Sequence, residues 1–112
     1  MKLKVEEKKI INLAEGKELI FDFSIEQVVE FDDGALIRLE PDIGKIYNEN
    51  VFRISLVPEI VWQVESIQKL DDDSPYTNIV IKDGKLFLYS WSGERMEINP
   101  KNGAVISKAF TK

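Results

Sequence analysis

Short apolar runs broken by turn-forming residues recur along most of the chain, a pattern that predicts strands. In Leu19-Ile20-Phe21-Asp22-Phe23 the period of two puts Leu19, Phe21 and Phe23 on one face. Val28-Val29-Glu30-Phe31 and Ala35-Leu36-Ile37-Arg38-Leu39 flank Asp32-Asp33-Gly34, which reads as a tight hairpin turn because Asp-Gly adopts positive φ readily. Pro41, Asp42 and Gly44 open a longer loop before Val51-Phe52-Arg53-Ile54-Ser55. Ile60-Val61-Trp62-Gln63-Val64 follows a turn at Pro58-Glu59. Ile60, Val64 and Ile67 also fit helical spacing, but β-branched and aromatic content favours a strand. Ser24 and Gln27 have capping-box spacing, which offers a short helix over 24–30 as a second reading, ranked below the strand.

Beyond the polar break Asp71-Asp72-Asp73-Ser74-Pro75, Asn78-Ile79-Val80-Ile81-Lys82 and Leu86-Phe87-Leu88-Tyr89-Ser90-Trp91 flank Asp83-Gly84 as a second hairpin. Both faces of 86–91 are apolar, so this strand is expected to be central and covered on both sides. Arg95-Met96-Glu97-Ile98, a turn over Asn99-Pro100-Lys101-Asn102-Gly103, and Ala104–Phe110 complete the set. The expectation is one all-β domain over 1–112, with about eight short antiparallel strands as hairpins or meanders. They would form two packed sheets or propeller-blade-like halves.

Val29–Leu36 aligns with Ile79–Leu86, Asp-Gly upon Asp-Gly, which suggests an internal repeat of 19–66 in 76–110. The run Asp83–Gly93 followed by Glu97-Ile98-Asn99-Pro100-Lys101-Asn102-Gly103-Ala104-Val105 resembles the blade repeat of quinoprotein-type β-propellers. Asn99 stands where those blades usually have Asp, and Ile106 where Trp is common; Trp62 would be its counterpart in the first half. A propeller needs at least about four blades, so a closed quinone-binding propeller is excluded and no quinone-binding residue carries over. Phe31-Asp32-Asp33, Asn48–Phe52, Val61-Trp62-Gln63-Val64, Asp73-Ser74-Pro75-Tyr76 and the ending Ser107–Lys112 give the chain an arrangement similar to small uncharacterised bacterial β-proteins. Some proteins of that style are suspected of neutralising toxins as immunity proteins, and that resemblance implies a binding role.

Composition narrows the chemistry. At 44% hydrophobic and 31% charged residues, the 112-residue chain can bury a core of its own. It has no cysteine and no histidine, which excludes disulfides, thiol nucleophiles and imidazole-based triads. The start is charged throughout and no apolar run approaches the roughly 18 residues of a spanning helix, so the expected compartment is the cytoplasm. Net charge is −5, unevenly spread: +2 over residues 1–17, −10 over 18–73 and +3 over 74–112. The acidic middle argues against nucleic acid and for a basic protein partner.

No Gly-x-Ser-x-Gly elbow, phosphate loop or dinucleotide fingerprint is present. Asp32-Asp33 and Asp71–Asp73 lack the alternating acids and closing Glu of a calcium loop. The expectation is therefore a non-catalytic interaction protein, with no cofactor and no metal. The binding candidates are the loop aromatic Tyr47 with Glu49, the acids Asp71, Asp72 and Asp73, and Trp91. A small-ligand module using the Phe87, Tyr89 and Trp91 face is the alternative. A carboxylate enzyme, the third reading, requires two acids converging in a cleft. Exposed edge strands leave a monomer or an edge-paired homodimer open.

Overall fold

The computed structural model describes residues 2–65 and 73–110. Among them all regular structure is antiparallel strand, eleven strands in three sheets rather than about eight in two. The N-terminal sheet is a meander of β1 (Leu3–Glu6), β2 (Lys9–Asn12) and β3 (Glu18–Ile20). The middle sheet runs β4 (Ser24–Phe31), β5 (Gly34–Glu40), β6 (Val51–Ser55) and β7 (Ile60–Gln63). The C-terminal sheet runs β8 (Tyr76–Lys82), β9 (Lys85–Ser90), β10 (Glu94–Ile98) and β11 (Val105–Phe110). Residues 24–30, the lower-ranked helix, lie within β4, and Ile60–Gln63 is a strand; Ile67 lies outside the described residues.

The β1–β2 hairpin is the element that the turn signals missed. Leu3 and Ile10 are fully buried, but the turn is Glu7-Lys8, and Glu7 itself takes φ 51°. A hairpin without Gly, Asn or Asp at its tip carries no turn signature. Its charged outer positions also masked the alternation of Leu3 and Val5. The hairpin is docked by backbone and carboxylate bonds. Glu30 Oε1 accepts the Lys2 and Leu3 N–H groups, both at 3.0 Å, and Ile25 N–H donates to the Glu7 carbonyl at 2.7 Å.

The middle sheet is the layer covered on both faces. Ala35, Ile37, Leu39, Phe52 and Ile54 pack with Leu3, Ile10 and Phe21, while Leu36, Val51, Trp62 and Val64 pack with Leu86, Leu88, Met96 and Ile98. The doubly covered strand is thus β5, whose unbroken run Ala35–Ile37 is buried throughout. The strand expected in that place, 86–91, is covered on one side. Leu86 and Leu88 are buried, Phe87 and Tyr89 are half-buried, and Trp91 has left the strand.

Side-chain amides join the middle and C-terminal sheets. Gln27 Nε2 donates to the Ile79 carbonyl at 3.1 Å and its Oε1 accepts the Ile79 N–H at 3.0 Å. Asn50 does the same to Tyr76, both at 2.9 Å, and Asn48 Oδ1 accepts the Ser74 N–H at 2.9 Å. Gln27 and Asn50 imitate a neighbouring strand's peptide, so the β8 edge is satisfied at Tyr76 and Ile79.

The two hairpins that align in sequence are one residue out of step. Asp83 and Gly84 form the second tip at φ 52° and 74°, as a type I′ turn requires. In the first, Asp32-Asp33 is the tip and Gly34 already pairs with Phe31 inside the ladder. The β4–β7 and β8–β11 meanders fall within the expected halves, but the first half also gives Leu19 and Ile20, in β3, to another sheet.

Trp62 closes one end of the interface between the sheets. Its indole Nε1–H donates to the Pro100 carbonyl at 2.9 Å, and its ring lies against Gly103. A Cβ on Gly103 would stand 2.5 Å from the ring, at a backbone φ of 77°. Gly103→Ala should therefore cost about 2–4 kcal/mol, combining overpacking with the left-handed penalty. Urea unfolding followed by Trp62 fluorescence checks this, and a loss below about 1 kcal/mol would contradict the contact.

Tyr76, 4% exposed, sits where the sheets meet. Burial, and after it Glu65, Glu94 and Glu49, push its phenol up to about 12 from the usual 10. The raised value favours the neutral folded form. Its contribution is whole below pH 10 and is lost as pH rises through 12, by up to about 2–3 kcal/mol. Urea midpoints between pH 9 and pH 12 should fall further in the native chain than in Tyr76→Phe. Equal falls in the two proteins would refute the assignment.

Candidate functional site: an acidic cleft beside Trp91

Two loops build an open cleft of about 460 Å³. One is the connection after β5, where Pro41 and Gly44 stop the strand and Lys45 N–H donates to the Asp42 carbonyl at 3.0 Å. Ile43 stands at its tip, fully exposed. The other wall comes from Asp73 and Pro75 before β8 and from Trp91 after β9. Trp91 N–H donates to the Pro75 carbonyl at 2.9 Å, so the two segments hold each other. The chain turns there because Gly93, at φ 88°, closes a turn onto the Ser90 carbonyl at 3.1 Å. The turn projects the indole outward, leaving Trp91 74% exposed.

A polar cluster stiffens this corner. Glu94 is buried, ion-paired with Lys108, and accepts the Ser92 hydroxyl at 3.1 Å. The Ser74 hydroxyl donates to Ser92 Oγ at 2.8 Å, and Ser90 Oγ accepts the Glu94 N–H at 3.2 Å. Every fully buried side-chain polar atom among the described residues has a partner. The serines are therefore held as struts, with the carboxylate as their anchor.

The cleft is acidic. Among the described residues Glu40, Asp42 and Asp73 line it against one cation, Lys45. Glu40, itself exposed, also meets the largely buried Arg38 at 3.5 Å, a long contact worth little. A large exposed indole flanked by two prolines and three acids suits a cation carried on an apolar stem, because the ring face attracts positive charge.

A family match covers residues 2–110 of the 112 and so spans every described residue. The chain belongs to the DUF7957 family, a domain of unknown function. No curated protein matches it.

Within this DUF7957 domain, the binding residues picked from the sequence part company. Asp73 and Trp91 meet in the cleft. Asp71 and Asp72 lie outside the described residues. Tyr47, expected as a free surface anchor, is half-buried. Its ring packs on Phe23 at 5.1 Å and its hydroxyl accepts Gln63 Nε2–H at 2.9 Å. Burial, then the Asp22 carboxylate, raise its pKa. Glu49 is half-exposed, and its carbonyl accepts a second Gln63 bond at 2.9 Å. Tyr47 and Glu49 thus brace the long loop and line no wall of the cleft.

The aromatic face of 86–91 also divides. Phe87 lies under the Arg95 guanidinium, 5.0 Å from ring centre to Cζ, in a shallow depression with Lys82, Asp83 and Lys85, whereas Trp91 turns into the cleft. Sequence reasoning missed Glu40, Asp42 and Ile43 as wall residues. The signal was there in an apolar Ile43 placed between a proline and a glycine in an acidic loop. Among the described residues no three acidic groups converge on a metal position, and no helix is long and apolar enough to cross a membrane.

Proposed function

We propose that this DUF7957 chain is a non-catalytic interaction module whose cleft receives a basic segment of a protein partner. The observation that carries the reading is the exposed Trp91 sharing one cleft with Glu40, Asp42 and Asp73. An arginine or lysine would stack on the indole while its charge meets the acids. The immunity-type version, in which the acidic surface blocks a basic toxin, uses the same contacts and gains from charge steering. The cytoplasm is the compartment proposed for that encounter.

An oligoarginine peptide is a direct probe, with an oligoglutamate peptide as control. Binding should shift Trp91 emission, and it should weaken at least tenfold between about 50 mM and 500 mM salt as screening shortens. Trp91→Ala should lose about tenfold in affinity, and Asp42→Asn and Asp73→Asn a few-fold each. The exposure of these side chains keeps the effect on folding small. Equal affinity in native chain and Trp91→Ala, or no response to salt, would sink the reading.

A further inference from the structure

Away from the acidic cleft, and sharing none of its lining, an apolar crevice of about 130 Å³ opens along the seam between the middle and C-terminal sheets. Phe31 and Leu36 come from one sheet, Ile81, Gly84 and Leu86 from the other, and Pro100 from the β10–β11 turn. Among the described wall residues the charged one is Arg53, in the middle of β6.

Arg53 is held but under-used. Its side chain is 20% exposed and its guanidinium lies over Phe31, 5.0 Å from the ring centre. Its one hydrogen bond among the described residues runs from Nη2 to Asp33 Oδ1 at 3.1 Å, and Asp33 is 77% exposed. A guanidinium has five N–H donors in a planar fork. Arg38, similarly buried, has two such bonds, from Nε to Gln27 Oε1 at 3.1 Å and from Nη1 to Glu40 Oε2 at 3.5 Å. With Cζ held 5.0 Å from the Phe31 ring centre and one N–H on Asp33, the other N–H groups of the Arg53 fork are open to a planar acceptor.

We propose that this crevice binds a short-chain aliphatic carboxylate, its carboxyl on Arg53 and its tail between Leu36, Ile81 and Leu86. Drug-sized sites hold about 300–1,000 Å³, and one water occupies about 30 Å³, so 130 Å³ suits an acid of four or five carbons. Inorganic phosphate would leave the apolar walls uncovered. An acid this small binds with a dissociation constant on the order of millimolar.

Amide and arginine Nε–H shifts of the full chain, titrated with sodium pentanoate, test the site. Pentanamide and sodium chloride at equal concentration are the controls. The expected result is saturable shifts at Leu36, Arg53, Ile81 and Gly84, absent with chloride and at least about tenfold weaker with pentanamide. Arg53→Gln keeps much of the side-chain volume and should weaken pentanoate at least about tenfold. Ile81→Trp, at a 45% exposed position, should narrow the crevice and weaken pentanoate while leaving Arg53 intact. Spectral dispersion reports folding of each variant in the same experiment. Linear shifts that chloride reproduces, or equal affinity in Arg53→Gln, would overturn the site. If Arg53→Gln unfolds, Ile81→Trp decides: undiminished binding there overturns it too.

Discussion

Asn50→Ala should lose about 3–5 kcal/mol of folding stability, a large share of the roughly 5–15 kcal/mol typical of a domain. Asn50 is fully buried. Its Nδ2 donates to the Leu39 carbonyl at 2.8 Å and the Tyr76 carbonyl at 2.9 Å, and its Oδ1 accepts the Tyr76 N–H at 2.9 Å. Truncation orphans three backbone groups where water has no ready access, at about 1–3 kcal/mol each and less than additively. It also separates β8 from the middle sheet, since Asn50 and Gln27 supply the paired bonds between them. Urea unfolding gives the loss. Amide exchange at Tyr76 locates it, because that N–H should change from protected to exchanging. Asn50→Asp should be no milder, as a carboxylate cannot donate to two carbonyls and would face them with negative charge. A loss below about 1 kcal/mol would mean that the interface between the sheets rests on apolar packing and the Gln27 and Asn48 bonds, with little from Asn50.

Gly34→Ala should lower the melting temperature by about 10 °C or more. A Cβ there would lie 2.0 Å from the Ile54 carbonyl oxygen, with Ile54 C at 3.1 Å and Ser55 Cα at 3.3 Å. All three are backbone atoms of the paired strand β6, so no rotamer relieves the clash. The strands must part at that end, at about 3 kcal/mol or more, and each kcal/mol moves the midpoint by about 4 °C at this size. Gly44→Ala is the matched control. Its φ is 84°, but nothing lies within 4 Å of the added carbon, so only the backbone penalty of about 1–2 kcal/mol applies. Equal midpoints for the two variants would contradict the close approach.

These two residues show different degrees of legibility. Gly34 is visible as a glycine after two aspartates, and the turn it suggests is real, but its own requirement is not the turn. It arises from β6, twenty residues further on, whose carbonyl needs the space. Asn50 reads as one more polar loop residue next to Asn48 and Glu49. Its burial depends on a partner twenty-six residues away. The candidate cleft behaves likewise: Asp73 and Trp91 could be named, while Glu40, Asp42 and Ile43 became wall residues only when two loops met. Tyr47 went the other way, since a loop aromatic looks free until Phe23 and Gln63 are seen to cover it. The likeness to a propeller blade rested on turn residues that antiparallel meanders in general share, and the family match lends it no support.

The sequence by itself determined the all-β class, the positions of most strands from β4 onward, and the type I′ tip at Asp83-Gly84. Those features are local: a period of two and a residue able to take positive φ act within a few positions. The tertiary structure alone decided that β5 rather than β9 is covered on both faces and that a charged hairpin without a turn signature adds a third sheet. It also decided that Trp91 stands in an acidic cleft and that Arg53 faces an apolar crevice. Each depends on which surfaces meet across twenty or more residues, and burial of an apolar face is indifferent to the order in which its partners occur along the chain.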